Sequence, residues 1–139
     1  MAKLYTAAAT SVGGRGGHIK TSDGLLDLEL RVPKEMGGPG GAYSNPEQLF
    51  AATWAACFNG AMMAVAEKKK PILNSTVIAR VSFNDDPALG FFISAQMDIN
   101  IPGMTQQEAE QVVADAHQMC PYSKATRGNV EVTFKVTTK

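Results

Sequence analysis

Residues 45–70 constrain this chain more than any other segment. Asn45 suits a helix N-cap, Pro46 the first helical turn, and Gln48 the capping-box position. At the other end Lys68, Lys69 and Lys70 put positive charge where a helix C-terminus favours it, and Pro71 blocks continuation. The spacing predicts a helix of about 24 residues, ~36 Å long, enough to cross a small domain. Its middle, Ala51 through Ala61, is apolar nearly all round, so the helix is expected to be a central, buried element. Its small residues allow another backbone to approach closely. A chain of 139 residues is expected to form a single domain, 1–139, and needs no disulfide or metal staple to fold.

The remaining segments alternate between strands and one more helix. Residues 3–12 carry Leu4, Tyr5, Thr6, Thr10 and Val12, a strand signal, and Gly13-Gly14-Arg15-Gly16-Gly17 is a flexible break. Leu26, Leu28 and Leu30 alternate with charged residues, the period-2 mark of a half-buried strand. Residues 37–41 form a glycine-rich loop. Residues 75–84 and 90–101 predict two strands, with Asp85-Asp86-Pro87 as the turn. Thr105-x-x-Glu108 is a capping box that opens a second helix. Ala109, Val112, Val113, Ala116 and Cys120 form its apolar stripe, and Pro121 ends it. Val130, Val132, Phe134 and Val136 alternate in a final strand. The order predicts an α+β fold, helices packed on antiparallel sheet.

Charge and composition exclude some partners. Thirteen basic residues balance thirteen acidic ones, which argues against nucleic acid. No apolar run is read as reaching the ~20 residues that span a bilayer, so no membrane partner is expected. Met1-Ala2-Lys3-Leu4-Tyr5-Thr6 lacks the apolar core of a signal peptide, and a cytoplasmic protein is expected. In that reducing compartment, two cysteines are more often catalytic, redox-active or metal-binding than structural.

Each candidate residue has two readings. Cys57 and Cys120 are either small buried core residues or, if they approach within disulfide range, a pair that exchanges between dithiol and disulfide. Arg15 is either an exposed loop residue or a guanidinium presented by flanking glycines to a buried anion such as a thiolate. Glu47 either complements the positive end of the first helix or orients Arg15. On an ideal helix Glu47 lies ten residues from Cys57, about 80° off its face, so an arginine bridging between them is easier than direct contact. A Cys2His2 metal set of Cys57, Cys120, His18 and His117 fits none of the usual zinc spacings, and no metal or cofactor is expected.

Asn45-Pro46-Glu47-Gln48-Leu49-Phe50-Ala51-Ala52, with Ala55-Ala56-Cys57-Phe58, resembles the first-cysteine helix of the OsmC/Ohr family. Residues 120–129, Cys120-Pro121-Tyr122-Ser123-Lys124-Ala125-Thr126-Arg127-Gly128-Asn129, resemble the second-cysteine motif of its Ohr branch, the organic hydroperoxide resistance proteins. Residues 13–17 and 23–27 match that branch in the right order, so the resemblance covers almost the whole chain. Ala42-Tyr43-Ser44 departs from it, since relatives often carry Gly and Thr there.

The resemblance implies an OsmC/Ohr-like fold, with two central helices packed against antiparallel β-sheets in an intertwined homodimer. It also implies a thiol peroxidase acting on organic hydroperoxides. Cys57 would be the peroxidatic cysteine and Cys120 the resolving one, with Arg15 and Glu47 as catalytic support. The reductant implied is a lipoylated protein or another dithiol. Phe50, Trp54, Phe58 and Met62 would line the substrate pocket and favour an alkyl tail. The rival readings are an OsmC-type peroxidase of broader substrate range and a binding module whose cysteines are core filler or hold a metal.

Overall fold

A computed structural model describes residues 1–139, which fall into two compact units, Met1–Leu49 and Phe50–Lys139. In the first unit β1 (Ala9–Val12), β2 (His18–Thr21) and β3 (Asp27–Glu29) form an antiparallel sheet in that order. The expected strand over 3–12 is paired only from Ala9, with a last bond from the Ser22 N–H to the Ala8 carbonyl, and residues 1–7 are exposed. The reason is local: β2 ends at Thr21, and the chain turns back through 22–26 to begin β3.

The glycines of 13–17 close the β1–β2 hairpin rather than acting as a slack break. Gly13 and Gly14 take φ of 78° and 61°, a region that L side chains rarely adopt. At Gly17 a Cβ would lie 1.8 Å from the Val12 carbonyl oxygen, so no other residue closes this turn. Beyond β3, Leu30 is buried and bridges in parallel to Ser44, just before the long helix.

That helix, α1, runs Pro46–Ala66 and carries the chain from the first unit into the second. The Gln48 N–H donates to Asn45 Oδ1 at 2.9 Å, the predicted N-terminal cap. The helix stops four residues before the end that Lys68–Lys70 and Pro71 suggested, where the Lys69 and Lys70 N–H groups both fold back onto the Ala66 carbonyl. Burial is one-sided: Trp54, Phe58, Ala61, Met62 and Ala66 are buried. Ala52, Thr53, Ala56, Gly60 and Met63 are exposed. Against the expectation that no segment is apolar enough to span a bilayer, α1 is, by length and composition alone. Its buried stripe instead forms the centre of the second unit's core.

In that unit β4 (Thr76–Asp86) and β5 (Gly90–Asn100) form a long hairpin, followed by α2 (Gln106–Met119), α3 (Pro121–Thr126) and β6 (Val132–Thr137). Asp86 Oδ1 accepts from the N–H groups of Ala88 and Leu89, which fixes the turn at 87–89, two residues later than expected. β6 pairs with β5 in parallel, Ala95 opposite Val132, not antiparallel as expected. Two helices intervene between β5 and β6, and such a crossover returns the chain in the same direction. The antiparallel expectation therefore holds for β4–β5 and for the first sheet.

The core joins α1 and α2 to the β4–β5–β6 sheet. Trp54, Phe58 and Met62 of α1 meet Met97 and Ile99 of β5 and Ala109, Val113 and Ala116 of α2, and the Phe58 ring lies 5.7 Å from that of Phe134. Each large side chain so buried contributes about 1.5–3 kcal/mol. α2 starts with the full capping box: Thr105 Oγ1 accepts from the Glu108 N–H, and Glu108 Oε2 accepts from the Thr105 N–H.

Urea unfolding should separate these two sources of stability. Ile99→Ala, at a position 2% exposed, is expected to cost about 2–5 kcal/mol. Thr105→Ala should cost only about 1 kcal/mol, because it removes a cap and leaves the core intact. A larger loss for Thr105→Ala would place the stability in the helix end instead.

Candidate active site

Both cysteines lie in the second unit, and their sulfurs meet. Cys120 Sγ donates to Cys57 Sγ at 3.3 Å, and both thiols are free. A disulfide needs S–S ≈ 2.0 Å, so closing the bond takes a movement of about 1.3 Å. Cys57 occupies the middle of α1 and is half-buried, whereas Cys120 is fully buried.

Local sequence explains why Cys120 sits where it does. Pro121 cannot continue α2 and pushes the residue before it into an extended conformation. Cys120 accordingly has φ −60° and ψ 122° and is at once the C-cap of α2 and the N-cap of α3. Its N–H donates to the Ala116 carbonyl at 2.8 Å, and its carbonyl accepts from the Lys124 N–H at 3.0 Å. The backbone on both sides therefore clamps this sulfur in place.

The Cys57 thiol titrates above its ordinary range. Burial is the largest cause, because it disfavours the charged form. The neighbouring Cys120 adds to it, first through the hydrogen bond between the two thiols and then because a second negative charge beside an ionised sulfur is opposed. The Tyr122 backbone N–H works the other way, donating to the Cys57 sulfur. That donor belongs to α3, a six-residue helix absent from the sequence reading. Its signal was Cys120-Pro121 itself, since proline at the first helical position is a common helix start.

Arg15 and Glu47 meet in the first unit. Arg15 Nη1 lies 2.8 Å from Glu47 Oε1 and 2.9 Å from Oε2, so one nitrogen addresses both carboxylate oxygens. The glycine hairpin carries Arg15, and Glu47 is the second residue of α1, where the positive helix end favours a carboxylate. The Glu47 side chain is 14% exposed and that of Arg15 42%.

The four aromatic and sulfur-bearing candidates of α1 differ in position. Trp54, Phe58 and Met62 are fully buried core residues, while Phe50 is half-buried with its ring edge-on to Trp54 at 5.8 Å. No three His, Cys, Asp or Glu side chains gather as they would around a metal ion. His18 pairs with Asp27. His117 packs its ring against Phe134, and burial, together with the Arg127 charge, favours its neutral form.

The model of the family described as OsmC-like protein matches residues 38–135. The organic hydroperoxide resistance protein of Xanthomonas axonopodis pv. citri is 51% identical over 133 residues, covering 94% of this chain and 93% of that one. OhrB of Bacillus subtilis is 43% identical over 136 residues, covering 96% of this chain and 98% of its own. The crystal structure of an organic hydroperoxide resistance protein from Elizabethkingia anophelis superposes with a TM-score of 0.93 at 44% identity, over the full length of both chains. One from Legionella pneumophila gives 0.92 at 45%, over 99% of this chain and all of its own.

Ultraviolet titration of thiolate absorbance checks the sulfur pair. The native protein is expected to ionise in two separated steps, the later one above the ordinary thiol range, and Cys120→Ala in a single step. A single native step at the ordinary thiol value would mean that the sulfurs do not interact in solution.

Proposed function

The chain belongs to the OsmC-like protein family, on its organic hydroperoxide resistance branch, and on that premise we propose that it is a cysteine-based peroxidase reducing organic hydroperoxides to alcohols. The observation that carries this reading is the 3.3 Å contact between the Cys57 and Cys120 sulfurs. Two free thiols this close can take up two oxidising equivalents as a disulfide with little rearrangement of the backbone that holds them.

The roles follow from access. Cys57, the half-buried member, is the nucleophile, and the fully buried Cys120 resolves. The Cys57 thiolate attacks the hydroperoxide oxygen distal to the organic group. The O–O bond breaks, the alkoxide takes a proton and leaves as alcohol, and Cys57 becomes a sulfenic acid. Cys120 then attacks that sulfur, its proton leaves with the hydroxyl as water, and the Cys57–Cys120 disulfide remains. A dithiol of the dihydrolipoyl class, presented on a lipoylated protein, takes over the disulfide by exchange and resets both thiols.

Burial raises the Cys57 pKa, so the reading requires a counter-charge. It assigns that part to Arg15, with Glu47 holding the guanidinium, and Arg15 also steadies the charge growing on the departing oxygen. The Tyr122 N–H assists from α3. Phe50 offers apolar surface to an alkyl chain, backed by Trp54, Phe58 and Met62, which favours organic substrates over hydrogen peroxide.

The reading includes a homodimer in the cytoplasm, where thiols stay reduced. A second copy accounts for the exposed face of α1, where Ala52, Ala56 and Gly60 leave room for another backbone. It also supplies a partner strand for residues 1–8, where Leu4 and Tyr5 are 94% and 81% exposed.

Treating the reduced protein with one equivalent of cumene hydroperoxide should consume both thiols as an intramolecular disulfide. Retention of both thiols would favour a binding module, and equal rates with hydrogen peroxide a peroxidase of broader range. Cys57→Ser is expected to abolish turnover, while Cys120→Ser reacts once and stalls; equal single-turnover reactivity would reject the assigned order. In sedimentation the protein should run as a dimer and Ala56→Glu as a monomer, whereas a native monomer removes the second copy from the reading.

A further inference from the structure

Beyond the direct Arg15–Glu47 ion pair, the short stretch Glu29–Leu30–Arg31 is bonded to both of the segments that carry it. On one side, the Leu30 N–H donates to the Gly17 carbonyl at 2.8 Å, which ties the glycine hairpin to β3. On the other, the Arg31 N–H donates to the Ser44 carbonyl at 3.0 Å and the Ser44 N–H to the Glu29 carbonyl at 3.2 Å. Those bonds fix the chain one residue before the Asn45 cap of α1, and hence the turn that carries Glu47.

The Arg31 side chain adds a contact from this anchor into the hairpin. Its Nη1 donates to the Leu30 carbonyl at 2.6 Å and to the Gly16 carbonyl at 3.2 Å, the residue immediately after Arg15. Glu29 Oε2 lies 3.3 Å from the same nitrogen. The guanidinium carbon sits 4.6 Å from the centroid of the Tyr43 ring, a distance that suits cation–π stacking. Tyr43 thus gives a flat support to a planar cation, which in turn holds the carbonyl beside Arg15. A guanidinium suits this task because its plane can stack on the ring while one nitrogen, Nη1, reaches the carbonyl.

We infer that Arg31, stacked on Tyr43, is a positioning residue that latches the 13–17 hairpin and so sets where Arg15 is presented. Gly13 and Gly14 make that hairpin closable, but they bring no side chain to hold it. The latch adds a side-chain constraint at the Gly16 carbonyl to the backbone bonds that close the turn. Its catalytic consequence rests on the role proposed above for Arg15. Its structural consequence, a hairpin held by Arg31, does not.

The test therefore reads both. In Arg31→Met, hydrogen–deuterium exchange of residues 13–17 should accelerate, while that of the β4–β5 hairpin stays as in the native protein. The second-order rate of Cys57 oxidation by cumene hydroperoxide should fall roughly 10- to 100-fold, as for a misplaced catalytic group, with its pH midpoint moved upward. Arg31→Lys should recover part of both, since an ammonium can reach the carbonyl but lacks the stacked fork. Tyr43→Leu, a milder surface change, should move both in the same direction by less. Native exchange in Arg31→Met overturns the latch. A native rate profile in Arg31→Met beside a slowed Arg15→Ala overturns its catalytic consequence. A native rate in Arg15→Ala instead sinks the role of Arg15, and leaves Arg31 nothing to position for chemistry.

Discussion

The contact between two sulfurs depends on a proline. Pro121 ends α2, turns Cys120 into an extended junction and starts α3, so the Cys120 backbone is hydrogen-bonded on both sides of the sulfur. Cys57 meets it from the middle of a helix whose neighbours Trp54 and Phe58 are locked in the core. Neither sulfur is carried on a loop. A pair held this way is pre-organised for a bond whose geometry is narrow, which a flexible segment would reach only at a cost in entropy.

The same burial that holds the pair opposes its chemistry. An apolar setting raises the Cys57 pKa, and a second thiol makes double ionisation harder still. The Tyr122 N–H offsets part of this from within the second unit. A full cation, by contrast, would strengthen the thiolate more than any neutral donor, because charge–charge interaction is less screened away from water. The proposed chemistry takes that cation from Arg15, whose guanidinium Glu47 holds.

What the sequence made legible was local. Asn45 with Gln48, and Thr105 with Glu108, are caps whose partners lie three residues away; the Thr105 box forms in full, and at Asn45 its side chain caps the Gln48 N–H. Strand alternation placed β4, β5 and β6 within a few residues. Alternation cannot carry direction, however, so the parallel pairing of β6 was invisible until the two-helix crossover was seen. α3 has only six residues, too few for a helical period to show. The apolar run of α1 overstated its burial, because apolar character does not say whether this chain or another covers a face. For the site, the two cysteine motifs and the Arg15 and Glu47 positions were readable by resemblance. The Arg31–Tyr43 stack was not, since twelve residues separate the two and neither belongs to a recognisable motif.

These points bear on how such a site tolerates change. Gly17 is fixed by contact, since a side chain there collides with the Val12 carbonyl. The Arg31–Tyr43 support is fixed only by mutual packing, so a different pair of side chains could hold the Gly16 carbonyl equally well. Tyr43 stands two residues before Asn45, so one short segment carries both the ring beneath the Arg31 guanidinium and the cap that starts α1. In the chemistry proposed above, the cysteines and Arg15 must match the reaction, whereas Arg31 and Tyr43 need only match each other.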